Sequence, residues 1–227
     1  MKWKRKNVSF RGMGDAGERF EEDKLRILRA IRFAGRFGSE VDADIDKVLR
    51  QGVDMSEISG ERIRDEFIKG IKTSKSTIHF LGLLDKYNLL AQVFPNMGTN
   101  RKAVESNDPD VVIASLLVGS GNVEKQLNAL KYPSDDINNI QFLINLVKFE
   151  PSQVVGAVKK RRNSKLTDEQ IMSFVSLNGL DSKLVQALLS FRLTINGNEV
   201  MQQYGIKGAE VGKMINKLET NKFRATL

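Results

Sequence analysis

The chain has 227 residues, a formal net charge of +8, no cysteine and a single histidine. This composition excludes disulfides and thiolate metal sites, and the lone histidine argues against a Ser-His-Asp triad. The excess of lysine and arginine favours an anionic partner, most often a nucleic acid, over a merely soluble basic protein. There is no long apolar run, and MKWKRKNVSF lacks an apolar signal-peptide core, so we expect a cytoplasmic protein without a membrane partner.

Apolar residues recur at helical spacing almost throughout, which predicts an all-α fold. Residues 1–20 are the exception, because a short β-like VSF and a glycine-rich stretch predict a strand end and a loop. Helices are then expected over about residues 22–37, 42–51, 59–71 and 74–87. After a polar loop at residues 96–109, we expect further helices from Pro109, Pro133, Pro151 and Thr167, and a final pair joined at a glycine-containing turn.

Four arginines recur on the first predicted helix at spacings of three, three and four residues: Arg26, Arg29, Arg32 and Arg36. On a helix these side chains fall within about a third of the circumference. The charges repel unless an anionic group lies across them, and the arginine fork matches phosphate oxygens. An Asp–Arg pair one turn apart can also read a nucleobase edge, because the carboxylate accepts from an amine while the guanidinium donates. The alternative is an amphipathic helix whose arginines are solvated or pair with its own carboxylates.

Residues 22–33, EDKLRILRAIRF, resemble the EDxxR and RxxRF motifs of the class II tRNA nucleotidyltransferases, which include the CCA-adding enzymes and related bacterial poly(A) polymerases. Other segments are similar to this family in the same order: RGMGDAGERF, MSEISGERIRDEFIKGI, LLDKYNLLAQVFPNM and LTINGNEVMQQYGIKGAEVGKMINKLE. The resemblance extends over nearly the whole chain.

The resemblance implies a nucleotide-binding set of five residues: Glu22, Asp23, Arg26, Arg29 and Arg32. The aspartate and arginine of EDxxR would bond the base of CTP or ATP, and the glutamate would hold that arginine. The two later arginines match residues on the phosphate side, whereas Arg36 matches no family motif. Arg62 would be structural or close to RNA.

The resemblance further implies tRNA binding by the C-terminal part. A basic cluster, Lys159, Lys160, Arg161 and Arg162, and the tail residues Lys207 and Lys213 are candidate RNA contacts. A solvated helix end is the alternative for the cluster. Four glycines match backbone turns of the family's tail, with helix termini and a tight turn as the alternative: Gly197, Gly205, Gly208 and Gly212.

The resemblance implies an elongated helical protein with a head remnant at residues 1–20, a neck at 21–90, a body at 91–155 and a tail at 156–227. In the family, Mg²⁺ is held by a D-x-D pair on a strand of the head, after a glycine-rich loop. That arrangement does not occur in this sequence, and Asp42-x-Asp44-x-Asp46 is not expected to bind metal.

We therefore expect the chain to supply base selection and tRNA binding for CCA addition. A separate head-domain chain or a missing head would supply the metal carboxylates, and the chain alone would not transfer nucleotides. The choice between adding C, A or both also depends on the head. The rivals are a non-catalytic RNA-binding protein derived from this family and a degenerate product without function.

Overall fold

The computed structural model describes residue 20 and residues 22–97 and 104–227. The described residues form helices and no strand, which confirms the all-α prediction. The chain divides into two compact units, one up to Pro133 and the other from Ser134 to Leu227. The predicted strand and loop at residues 1–19 lie outside the described residues, and the division into neck, body and tail stays a prediction.

The helices of the first unit are α1 (Leu25–Phe37), α2 (Ala43–Arg50), α3 (Gly60–Thr73), α4 (Thr77–Lys86), α5 (Leu90–Val93), α6 (Pro109–Leu117) and α7 (Val123–Ala129). Side-chain caps explain several starts. The hydroxyls of Ser59 and Ser76 accept the third N–H groups of α3 and α4, and the carboxylate of Asp108 does the same for α6. The fourth predicted helix therefore begins at Thr77 rather than near Ser74.

Helix α1 begins at Leu25, later than the predicted Glu22, with Lys24 as its N-cap residue, and the Asp23 carboxylate accepts the Leu25 N–H at 3.2 Å from outside the helix. The helix ends at Gly38, which adopts the left-handed conformation with φ +62°. Its apolar stripe is buried where α1 packs against α3 and α4: Leu25, Ile27, Leu28, Ile31 and Ala34. The arginines consequently lie on the remaining circumference of α1.

The core of this unit depends on close contact between α3 and α4. Gly70 lies against the ring of Phe80, where a Cβ would come within 2.1 Å of the ring's Cζ. Phe67 joins them, with ring centroids 6.0 Å from Phe80 and 5.4 Å from Phe94. This packing fixes the face of α3 that meets α1.

Helix α2 is tied to α4 through Asp46. Its carboxylate accepts hydrogen bonds from Arg50 Nε and from the Tyr87 hydroxyl, each at 2.6 Å. These bonds hold the pKa of Asp46 well below its ordinary value, with the Arg50 bond the larger cause. The single histidine, His79, contacts the Ser39 carbonyl oxygen at 3.0 Å through Nε2, in keeping with a packing role.

The second unit contains α8 (Ser134–Leu146), a 3₁₀ turn (Pro151–Gln153), α9 (Val154–Asn163), α10 (Asp168–Asn178), α11 (Ser182–Ser190), α12 (Gly197–Tyr204) and α13 (Ala209–Arg224). Thr167 caps α10 as predicted, in a reciprocal capping box with Gln170. The core centres on Phe223, which makes edge-on ring contacts with Phe149 at 6.0 Å and Phe191 at 5.1 Å.

The predicted glycine-containing turn joins α12 to α13. Gly205 and Gly208 have φ of +67° and +62°, a conformation that residues with a Cβ adopt at a cost. Gly197 is the first residue of α12 and so lies at a helix terminus, whereas Gly212 lies within α13, where neither a turn nor a helix terminus was found. Across the described ranges, no helix has the length and apolar character needed to cross a membrane.

Candidate functional site

The predicted base-reading residues lie together at the start of α1. Glu22 and Arg26 are one turn apart, and Arg26 Nη1 donates to Glu22 Oε2 at 2.7 Å. Asp23 lies between them, one residue before the N-cap Lys24 of the helix. The Asp23 and Arg26 side chains are 27% and 41% exposed, so both remain accessible to a ligand. An acceptor and a forked donor thus face solvent within one turn.

A second arginine reaches Asp23 from α3. Arg62 Nη2 lies 3.3 Å and 3.4 Å from the two carboxylate oxygens of Asp23. These distances are at the long end for a charged hydrogen bond, and the Arg62 side chain is half exposed. The contact is therefore a long and partly solvated one.

The arginine stripe has an anionic partner that lies in the protein itself. Glu66 of α3 is only 5% exposed, and its carboxylate accepts from Arg32 Nε at 2.7 Å. Arg29 and Lys69 lie 3.6 Å and 3.7 Å from the other oxygen. One buried carboxylate thereby offsets much of the repulsion among the cations around it.

The two arginines of the RxxRF motif have different environments. The Arg32 side chain is 15% exposed, is bound to Glu66, and lies 4.2 Å from the centroid of the Phe33 ring. Arg29 is 47% exposed and makes only the longer contact with Glu66. Arg36 is exposed and forms no ion pair with another described residue. Arg29 is thus the more available of the motif's two arginines.

Glu66 was not among the residues singled out from the sequence. The signal lay in the segment MSEISGERIRDEFIKGI, which resembles the family and in which Glu66 and Lys69 are three residues apart. Spacing alone could not pair Glu66 with residues more than 30 positions earlier, because that pairing depends on how α1 packs on α3.

The carboxylates at D-x-D spacing do not fit a magnesium site. Asp42 caps α2 by accepting the Asp44 N–H at 3.1 Å, and Asp46 is bound to Arg50. Asp108 and Asp110, the other such pair, begin α6. Within the described part of the chain, no group of three or more candidate ligands could hold a metal ion.

The candidate RNA contacts of the second unit fall in two places. Lys159, Lys160 and Arg162 are exposed on the last turns of α9, while Arg161 Nη2 binds Asp168 at 3.0 Å. Lys207 is exposed between α12 and α13, and Lys213 lines a cleft of about 230 Å³ along α13. The four residues of the basic cluster therefore share the end of α9, whereas Lys207 and Lys213 belong to the α12–α13 pair.

Residues 49–99 match the family described as "Probable RNA and SrmB- binding site of polymerase A". The chain is 30% identical to a CCA-adding enzyme of Listeria monocytogenes over 157 residues, which cover 62% of this chain and 39% of that protein. It is 27% identical to one of Staphylococcus aureus over 199 residues, which cover 86% and 46%. The chain thus spans less than half the length of these relatives.

Solved structures have a similar fold. A Thermotoga maritima CCA-adding enzyme in complex with tRNA aligns with a TM-score of 0.54 at 16% identity, over 90% of this chain and 58% of that one. A CCA-adding enzyme in complex with ATP aligns with a TM-score of 0.56 at 20% identity, over 90% and 57%. At such identities the likeness establishes the fold.

Proposed function

We propose that the chain belongs to the family of the CCA-adding enzymes, and that it selects the incoming CTP or ATP and binds tRNA during addition of the CCA end. The observation that carries this proposal is the exposed Glu22–Arg26 ion pair beside Asp23. It gives an acceptor and a fixed donor fork at one helix end, which is the pattern needed to read a nucleobase edge.

Each of these side chains has a role in the proposal. The Asp23 carboxylate accepts from the exocyclic amine that cytosine and adenine share, and the Arg26 guanidinium donates to a ring acceptor. Glu22 restricts Arg26 through their 2.7 Å bond, so less rotamer entropy is lost on binding. Uracil and guanine present an oxygen where the amine would be, and the carboxylate repels it. Selection against UTP and GTP follows from this mismatch.

The phosphate side of the proposed site is α1 beyond Arg26. Arg29 is exposed and loosely held, so it is free to turn toward a phosphate oxygen. Arg32 is held by Glu66 and contributes positive potential from a fixed place. The two arginines thus provide a mobile contact and a fixed charge.

Nucleotidyl transfer itself needs carboxylates that these residues do not provide. At the D-x-D positions of the described part, Asp42 and Asp108 cap helices and Asp46 binds arginine, so no step of the transfer is assigned to these residues. We propose that a head domain outside these 227 residues holds Mg²⁺ and carries out the transfer, whether it lies on a separate chain or on the same polypeptide.

The first test incubates the purified chain with a tRNA lacking its CCA end, CTP, ATP and Mg²⁺. We expect no nucleotide addition until a head domain of a CCA-adding enzyme is supplied. Robust addition by the 227 residues alone would contradict the division of labour proposed here.

The second test separates the enzyme from its non-catalytic rival. In the reconstituted enzyme, Asp23→Asn and Arg26→Gln should lower CTP and ATP incorporation by about 100-fold or more and weaken discrimination against UTP and GTP. Arg36→Gln is the matched control, since it removes an exposed cation from the same helix outside the motif. A pure RNA binder would instead keep its tRNA affinity in all three variants and show no nucleotide-dependent difference among them.

A further inference from the structure

The second unit contains a cleft of about 420 Å³ with arginines on its rim. Arg161 and Arg162 come from the last turn of α9, and Arg192 follows the end of α11. Asp168 is the one acidic residue among those that line the cleft, so the lining has three cationic side chains and one anionic side chain. The lining of this cleft therefore carries a net positive charge.

The three guanidinium groups are not equally neutralised. Arg161 donates to Ser164 Oγ at 3.1 Å and to Asp168 at 3.0 Å, which satisfies its charge locally. Arg162 is exposed and makes no hydrogen bond or ion pair with any residue that the structure describes. The cleft therefore has one unneutralised guanidinium from α9.

Arg192 is oriented by the helix that precedes it. Its Nη1 donates to the carbonyl oxygens of Leu189 and Phe191, at 2.9 Å and 3.1 Å, at the end of α11. These bonds fix the plane of the guanidinium while its side chain stays exposed. Nε and Nη2 have no bond within the described part of the chain, so a second pair of donors remains for a ligand.

The cleft is suited to a phosphate rather than to a nucleobase. Its apolar floor is formed by Val158, Leu188 and Phe191, which are 5%, 2% and 7% exposed. A ligand would therefore meet guanidinium groups and backbone instead of a stacking surface. The volume lies within the usual range for a small-molecule site, enough for a phosphodiester and its adjoining sugars.

We propose that this cleft binds one phosphodiester of an RNA strand between Arg162 and Arg192. The identity of the RNA as tRNA rests on the proposed function, but the assignment of the cleft and of Arg192 does not involve the base-reading residues of α1. Planar guanidinium groups on two sides of a phosphate match its oxygens and set the position of the backbone without reading sequence.

The experiment measures binding of the 227-residue chain to a tRNA lacking its CCA end across a series of salt concentrations. Arg162→Gln and Arg192→Gln should each weaken binding about three- to tenfold and reduce the magnitude of the salt slope by about one. Lys183→Gln is the matched control, because Lys183 is exposed at the other end of α11 and lies outside the cleft. It should change affinity less than about twofold.

Two further arms keep the result decisive. Arg192→Lys retains the charge but not the fork, so an intermediate affinity supports guanidinium recognition. Arg192→Gln could lower the melting temperature because it loses the bonds to the carbonyl oxygens. In that case the tRNA affinity of Arg162→Gln tests the proposal, since Arg162 makes no such bond. Titration of the same variants with CTP and with inorganic phosphate tests whether the cleft binds a free nucleotide or a phosphate ion instead of RNA.

The proposal is overturned if both arginine variants bind tRNA as the parent chain does, or if Lys183→Gln weakens binding equally. It is also overturned if the variants lose affinity for CTP alone and keep it for tRNA. Unchanged base selection in the Asp23 variant, with the cleft result intact, would refute the proposed function and leave the phosphate site standing.

Discussion

Replacing Glu66 tests whether a buried carboxylate holds the arginines of α1 in place. The 2.7 Å bond to Arg32 is well shielded, because Glu66 is 5% and the Arg32 side chain 15% exposed. Removing one member of a buried pair costs about 3–5 kcal/mol, whereas the longer contacts with the exposed Arg29 and Lys69 add little. We expect a loss of about 3 kcal/mol for Glu66→Ala. Glu66→Gln, which keeps an acceptor but not the charge, should lose about 1–2 kcal/mol.

The assay has to read the first unit alone, since two compact units can unfold separately and a single melting temperature would mix them. Native-state hydrogen exchange of peptides from α1 and α3 reads the local free energy of opening. About 1.4 kcal/mol corresponds to a tenfold change in exchange rate. We expect about tenfold faster exchange for Glu66→Gln and about a hundredfold for Glu66→Ala, with peptides of the second unit unchanged.

Glu61→Gln is the matched control on α3. Its side chain is 67% exposed and lies 3.6 Å from Arg64, so its loss should alter exchange by less than about threefold. Unchanged protection of α1 and α3 in both Glu66 variants would refute the reasoning, because it would mean that the charge of Glu66 contributes nothing to holding the arginines.

The remaining predictions concern packing and pH. Gly70→Ala should destabilise the first unit by about 1–3 kcal/mol or more, because its Cβ would meet the Phe80 ring at 2.1 Å. Gly82→Ala in α4 has open space around it and should be neutral or stabilising by up to about 1 kcal/mol, as measured by the same exchange assay. The folded-state pKa of Asp46 lies below its unfolded value of about 3.8, chiefly because of the bond from Arg50. The ionised Asp46 therefore contributes fully to the free energy of unfolding above that pH, and this contribution is lost as the pH falls below it. Acid titration of helical circular dichroism should therefore show a steeper loss of stability below about pH 4 in the parent chain than in Asp46→Asn, and superimposable curves would contradict this.

Local sequence signals predicted the helices well where a cap or a glycine marked the end. Ser59, Thr167 and Gly38 act at the boundaries that were expected. The start of α1 was misplaced because the acidic run before it was read as the first helical turn. In the structure, Lys24 is the N-cap residue, and Asp23 lies outside the helix and accepts the Leu25 N–H. Propensity does not distinguish a carboxylate inside the first turn from one just before it.

The sequence by itself determined the all-α class, the family motifs and the clustering of Glu22, Asp23 and Arg26 within one turn, because all of these depend on spacing along a helix. The basic cluster on α9 followed from spacing in the same way.

Only the tertiary structure decided which charges remain available. Glu66 neutralises Arg32 from 34 residues away, and Arg192 comes to the cleft beside Arg162 through the packing of α11 with α9. The physical reason is that a helical period fixes which residues share a face, whereas ion pairing depends on which faces meet. That choice is made by burial of apolar side chains over the whole unit.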